Sequence, residues 1–283
     1  MSDVAWAPPP EALPAPVVDN HCHLDFPYRG AVERSAAQLL DEACAVGVTR
    51  AVQIGCDLDS ARWTAEAIQA DPRLVGGVAL HPNEAPVHAA GEHPSGLDYD
   101  EALAEISRLA RLPRMRVVGE TGLDYVRTGP AGRAAQMRSF RDHIALAKEV
   151  GLVLQIHDRD AHADVLDILE RDGAPEFTVF HCFSGDAAMA RLCAYRGYYV
   201  SFAGNVTFKN ADSLRAALAV TPLEQVLVET DAPFLTPHPQ RGRVNSPSQV
   251  ATTMLTIADV LGRGLEEACT AIDATSERLY GPW

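Results

Sequence analysis

Eight short apolar runs, each followed by a stretch rich in Ala and Leu, set the tightest limit on how this chain can fold. The runs are Pro16–His23, Ala51–Gly55, Leu74–Leu80, Met115–Gly119, Leu152–His157, Thr178–His181, Tyr198–Ala203 and Val226–Thr230. Runs of this length read as parallel strands covered on both faces. The stretches between them carry helical spacing: Ser35–Val46, Ser60–Ala70, Leu97–Arg111, Gly132–Val150, Ala161–Asp172, Ala187–Tyr195 and Asn210–Val220, with Ser248–Leu261 and Leu265–Tyr280 closing the chain. Strands alternating with helices in this number predict an α/β chain with a TIM-like (β/α)8 barrel. A doubly wound open sheet is the alternative, but no GxGxxG follows the first strand and no GxxxxGK[ST] occurs. The reading is a flexible lead-in over residues 1–15 and a single barrel domain over 16–283.

Length and composition agree with a large buried core. The chain has 283 residues, 47% of them hydrophobic. Its formal charge of −14 argues against coating nucleic acid or an anionic membrane by general electrostatics. A nucleic-acid enzyme with a local cationic or metal-filled site remains compatible. No run is long enough to span a bilayer, and the Ala/Pro-rich start lacks a basic segment followed by an apolar one. Cys22, Cys44, Cys56, Cys182, Cys193 and Cys269 show no CxxC spacing. The expectation is reduced thiols in a cytoplasmic protein with no membrane partner.

The predicted strand ends carry the chemistry. The last strand, Val226-Leu227-Val228-Glu229-Thr230-Asp231, runs into two carboxylates before Pro233 stops it. Alternation along a strand would put Glu229 and Asp231 on one face. His21 and His23, also two apart, would likewise share a face. Glu120 ends the fourth strand, His157 the fifth and His181 the sixth. One strand-end histidine is commonly structural, whereas four histidines and two acids at strand tips point to metal. Imidazole with carboxylate suits Zn²⁺, Mn²⁺, Fe²⁺, Ni²⁺ or Co²⁺, and carboxylate with water suits Mg²⁺. Six ligands are too many for one catalytic ion that keeps an open position, so two divalent ions with a carboxylate between them fit better. Asp231 is read as both ligand and general base, with Glu229 supporting it from behind. Such a site could hydrolyse phosphoesters, amides, lactones or organophosphates, and ligand chemistry alone does not choose. A metal-binding protein whose role is interaction would not need the full set.

On the substrate side, Arg159 lies two residues beyond His157, and Lys209, Arg241 and Arg243 lie in loops after the seventh and eighth strands. Arginine can grip phosphate with two donors. His81, before Pro82, is placed to contact a phosphate or leaving oxygen. Tyr125 and Phe208 are candidates for stacking a base. His88, His93, His143, His162 and His238 are read as structural or surface residues.

The motifs Val18-Asp19-Asn20-His21-Cys22-His23, Leu80-His81-Pro82, Gly119-Glu120-Thr121-Gly122-Leu123-Asp124-Tyr125, Ile156-His157-Asp158-Arg159-Asp160-Ala161, His181-Cys182-Phe183-Ser184-Gly185, Ser201-Phe202-Ala203-Gly204-Asn205, Val228-Glu229-Thr230-Asp231-Ala232-Pro233 and Arg241-Gly242-Arg243-Val244-Asn245-Ser246-Pro247 occur in this order. As a set they resemble the TatD-type metal-dependent DNases of the amidohydrolase-like superfamily, over roughly residues 16–280. The resemblance implies a TIM-like barrel with two divalent ions, Mg²⁺ for activity. It implies His21, His23 and Asp231 on one ion, His157 and His181 on the other, and Glu120 bridging, with Glu120 and Asp231 catalytic. It also implies phosphodiester hydrolysis, often as a 3′-to-5′ exonuclease on single-stranded DNA or RNA ends; the chain is expected to act as a monomer. Some relatives deacylate D-aminoacyl-tRNA, so hydrolysis of an ester or amide bond is the alternative. Asn20 and Val153 depart from the family pattern; both flank ligands and replace none.

Overall fold

The computed structural model describes residues 4–26, 28 and 30–283. Its strands and helices alternate: β1 (Val17–Cys22), α1 (Ala36–Ala45), β2 (Val48–Gly55), α2 (Leu58–Ala70), β3 (Leu74–Val78), α3 (Ala85–Ala89), α4 (Tyr99–Leu109), β4 (Met115–Asp124), α5 (Arg133–Val150), β5 (Val153–Arg159), α6 (His162–Asp172), β6 (Thr178–Phe180), α7 (Ala187–Tyr195), β7 (Tyr199–Phe202), α8 (Asp212–Val220), β8 (Val226–Val228), α9 (Val250–Leu261) and α10 (Leu265–Tyr280). The strands follow one another in sheet order β1 to β8, the (β/α)8 topology expected from the sequence. Among the described residues no helix is long and apolar enough to cross a membrane. The six cysteines form no disulfide.

The chain packs as two compact units, Met1–Gln53 with Cys182–Trp283, and Ile54–His181. In the first, β1 pairs in parallel with the opening of β2, from Val17 opposite Val48 to Cys22 opposite Gln53. β7 pairs with β8 from Val200 opposite Val226 to Phe202 opposite Val228. The end of β8 then closes onto β1: Asp231 N donates to His21 O at 3.0 Å and His23 N to Ala232 O at 2.8 Å. Asn20, the departure noted in the motif, fastens the same seam, its Nδ2 donating to Val228 O at 2.7 Å. Helix α10 covers β1 and β8 with Ala268, Ile272, Thr275 and Leu279, the three-and-four spacing of one buried stripe.

The N-terminal lead-in is laid along this unit from Val4 onward; residues 1–3 lie outside the described residues. Ala7 N donates to Val244 O and Val244 N to Ala5 O, both at 3.0 Å, while Leu13 N reaches Val46 O. Trp6 anchors the segment: it is 8% exposed, and its Nε1 donates to Val32 O at 2.8 Å. Burying one indole and pairing this backbone outweighs the freedom that an Ala/Pro-rich stretch would otherwise keep.

In the second unit β3, β4, β5 and β6 pair in parallel. Strand β4 runs five residues further than its apolar run, because Thr121 to Asp124 pair with Ile156 to Arg159 of β5. Gly122 makes that possible. Its φ is +140°, and a Cβ there would sit 2.1 Å from the carbonyl oxygen of His157. Helix α5 packs on β4 through Phe140, His143, Ile144 and Ala147. The short helix α3 has no counterpart in the sequence reading. Helices α1 and α4 start in capping boxes, Ser35 with Gln38 and Asp98 with Glu101.

Candidate metal centre

In the first unit, β1 presents His21 and His23, which are 0% and 3% exposed. Their Nε2 atoms lie 3.2 Å apart, and Asp231 Oδ1 lies 3.9 Å from the first and 3.4 Å from the second. Two imidazole nitrogens and a carboxylate oxygen thus converge on one point, the donor set a divalent transition ion takes. The backbone at this point is fixed by neighbours. Asp19, fully buried, accepts from Thr230 N at 2.9 Å and from Thr230 Oγ1 at 2.5 Å. Burial pushes the Asp19 carboxyl up to about 8, against the pull of those hydrogen bonds. Thr230 Oγ1 in turn accepts from Ala232 N at 3.1 Å.

One expectation changes here. β8 ends at Val228, and Asp231 has φ +53°, so strand alternation no longer governs the acids beyond it. Glu229 is buried, and its Oε1 accepts from Cys182 N at 2.7 Å. It anchors the chain after β6 as well as sitting near the ligands in sequence. Asp231 is reached by solvent on 16% of its side chain, unlike Glu229 at 0%. A left-handed backbone is uncommon outside glycine and is best tolerated by Asp and Asn.

In the second unit the centre is a carboxylate. Glu120 of β4, 4% exposed, has His181 Nε2 at 2.7 Å and His157 Nδ1 at 2.9 Å from Oε2. His81 Nε2 is 3.8 Å from the same oxygen, and Cys56 Sγ donates to Oε1 at 3.1 Å. Burial alone would raise the Glu120 carboxyl. The charges of His181 and His81 and the hydrogen bonds from His157 and His181 overcome it and hold the group well below the usual carboxylate range. His81 Nδ1 accepts from Asn83 N at 3.0 Å, which leaves Nε2 facing Glu120. His81, expected to contact a phosphate or leaving oxygen, lies with Glu120 and His157, whose donor atoms could together hold an ion.

Two neighbours escaped the sequence reading. Asp124 Oδ2 lies 3.4 Å from His157 Nε2, an ion contact without aligned hydrogen-bond geometry. Asp124 is itself held by Val126 N, Arg127 N and Asn83 Nδ2. Burial would lower the His157 pKa, but Asp124 and Glu120 on its two nitrogens raise it. Cys56 follows β2 directly, and the strand-end rule that found the histidines applies to it equally.

The remaining candidates make contacts of their own. Arg159 is exposed at the end of β5, where its carbonyl accepts from Tyr125 N at 3.0 Å. The Arg243 guanidinium reaches Trp6 O at 3.5 Å, in the N-terminal segment. Tyr125 carries Arg133 over its ring at 3.9 Å, and Phe208 carries Arg241 at 4.1 Å. Each of these rings has a cation on one face.

Comparison with known proteins places the chain. The model of a family described as TatD related DNase matches residues 18–281. An uncharacterized metal-dependent hydrolase TatD of Mycobacterium tuberculosis is 42% identical over 270 residues, covering 94% of this chain and 98% of that protein. The uncharacterized metal-dependent hydrolase YabD of Bacillus subtilis is 35% identical over 264 residues, covering 93% and 98%. The crystal structure of YjjV, a TatD homolog from Escherichia coli K12, superposes with a TM-score of 0.82 at 25% identity, over 94% of this chain and 98% of that one. With this fold and these two donor sets, the chain belongs to the TatD family of metal-dependent hydrolases.

Proposed function

We propose that the chain is a phosphodiesterase that removes nucleotides from the ends of single-stranded DNA or RNA, using two divalent ions. The observation that carries this reading is the presence of two buried clusters of imidazole and carboxylate donors. His21, His23 and Asp231 would hold one ion. Glu120, His157 and His181 would hold the other, with His81 beside them. The donor chemistry fits: buried imidazole nitrogens 3.2 Å apart facing a carboxylate, and a carboxylate ringed by three histidines. Bound ions supply Lewis-acid stabilisation of the charge that develops on phosphate oxygens.

The chain's own residues do the rest. Asp231 is the solvent-accessible acid of its set, so its carboxylate is placed to accept the proton of the attacking water. Glu120, held ionised by its histidines, keeps those rings in register for the ion. Arg159, exposed at the tip of β5, is available to hold a phosphate oxygen.

The test sets the proposal against hydrolysis of an ester or amide bond. Purified protein is incubated with end-labelled single-stranded DNA and RNA and with aminoacyl esters, in Mg²⁺ or Mn²⁺ and in chelator. Metal-dependent shortening from one end supports the phosphodiesterase. Turnover of the aminoacyl esters alone would replace it.

A further inference from the structure

Phe26 and Phe234 are the phenylalanines that stand exposed among the described residues, at 37% and 45%. Single exposed apolar side chains need no explanation. These two touch each other, with ring centroids 5.4 Å apart at 74°. Both also face one ligand: the His23 ring is 5.7 Å from Phe26 and 6.4 Å from Phe234. Each is tied to the centre by backbone. Phe26 N donates to His23 O at 3.4 Å, and Phe234 N donates to Asp231 O at 2.8 Å. Asn245 Nδ2 holds Phe234 O at 2.5 Å, and Gln53 holds the other loop through Leu24 N at 2.7 Å and Asp25 Oδ1 at 2.8 Å. Two aromatic surfaces are thus fixed three residues downstream of two ligands and left open to solvent.

We infer that Phe26 and Phe234 form a stacking subsite for the base of the nucleotide whose phosphate enters the His21, His23 and Asp231 site. This rests on the phosphodiesterase reading and adds a substrate contact to it. A phenyl face takes any base, because every base has a π-surface, so the contact favours a nucleotide without choosing its sequence. It also suits a chain of net charge −14, which needs an attraction for a polyanion that is not electrostatic.

The test compares thymidine 5′-monophosphate with 2-deoxyribose 5-phosphate, which lacks the base, by calorimetry on the metal-loaded protein. The parent should bind the nucleotide about ten-fold more tightly than the sugar phosphate. Phe26→Leu and Phe234→Leu keep apolar bulk and remove the π-face. The double variant should bring the two affinities within about two-fold, with the sugar phosphate bound as in the parent. No preference in the parent, or a preference unchanged in the double variant, overturns the inference. A loss of sugar-phosphate affinity overturns it too, since the rings would then be supporting the ligands. An oligonucleotide with an abasic terminal nucleotide separates the two claims. If the parent trims neither it nor the normal oligonucleotide, the phosphodiesterase reading fails even where the base preference stands.

Discussion

The two donor sets solve the problem of buried charge differently. Around Glu120 the protein answers itself: one carboxylate meets His181, His157 and Cys56, and every partner belongs to the same unit. At His21 and His23 two ring nitrogens face each other at 3.2 Å with the acid at 3.4 Å or more. The first arrangement carries its own counter-charges and can keep its shape without an ion. The second gathers three donor atoms that a cation could take together. A buried charge must be paired, and the two sets differ in whether the protein or the metal does the pairing.

The largest effect should come from removing the acid at the self-paired set. Glu120→Ala is expected to abolish turnover and to lower the metal content, because it strips the centre from three histidines. Elemental analysis beside rate measurement decides; two retained equivalents with a near-normal rate would take Glu120 out of the site.

Asp231→Asn probes the other set more gently. It keeps an oxygen ligand and the shape but removes the proton acceptor, so the rate should fall by roughly two to four orders of magnitude while at least one ion stays bound. Single-turnover kinetics on a short oligonucleotide, with metal analysis, would show it. A change of only a few-fold would leave Asp231 a ligand without a proton-transfer role.

Gly122→Ala tests whether the self-paired set depends on its strand. A methyl at φ +140°, 2.1 Å from the His157 carbonyl, forces β4 away from β5. The expected cost is about 1–3 kcal/mol for the backbone alone, together with loss of ion binding at Glu120 and His157. Chemical denaturation and metal analysis read both halves; parent-like stability would mean that β4 adjusts freely.

The smallest effect concerns pH. His143 is fully buried, its Nε2 accepting from Leu80 N at 3.1 Å and its Nδ1 donating to Ser139 O at 2.7 Å. Burial lowers its pKa from 6.5 to about 4. The unfolded chain therefore binds this proton first as pH falls, and stability is lost between pH 6.5 and about 4. The loss from pH 7 to pH 5 should be about 2 kcal/mol. His143→Gln should remove that part of the pH dependence, even if the variant is less stable at pH 7. Denaturant titrations at the two pH values measure it, and an unchanged difference would acquit His143.

What the sequence reveals follows the range of the interactions. The strands are legible because buried parallel strands carry short apolar runs, as in the fully buried VLV of β8. The ends are not. β4 continues through a glycine-bearing stretch only because β5 is there to pair with it, and β8 stops at Val228 although the sequence looks strand-like to Thr230. The ligand candidates are legible because each falls at or just past the end of an apolar run in the sequence. Asp124 and Cys56 are harder to see, since their roles come from contacts with His157 and Glu120 across the fold. The order of residues 4–15 is invisible in a stretch of Ala and Pro until Val244 and Val46 supply its hydrogen bonds.

The seam between β1 and β8 also sets a schedule. Asp19 and Thr230, which hold the ends of those strands together, are 211 residues apart in the chain. A ribosome must deliver most of the protein before Asp231 can meet His21 and His23. The contacts around Glu120 span much shorter stretches, 37 residues to His157 and 64 to Cys56. Closing the longer loop costs only slightly more entropy, but it cannot begin earlier. The Glu120 contacts therefore require a shorter length of chain than the Asp231 set does. Completion of that set would report that the last strand has been made and has found the first.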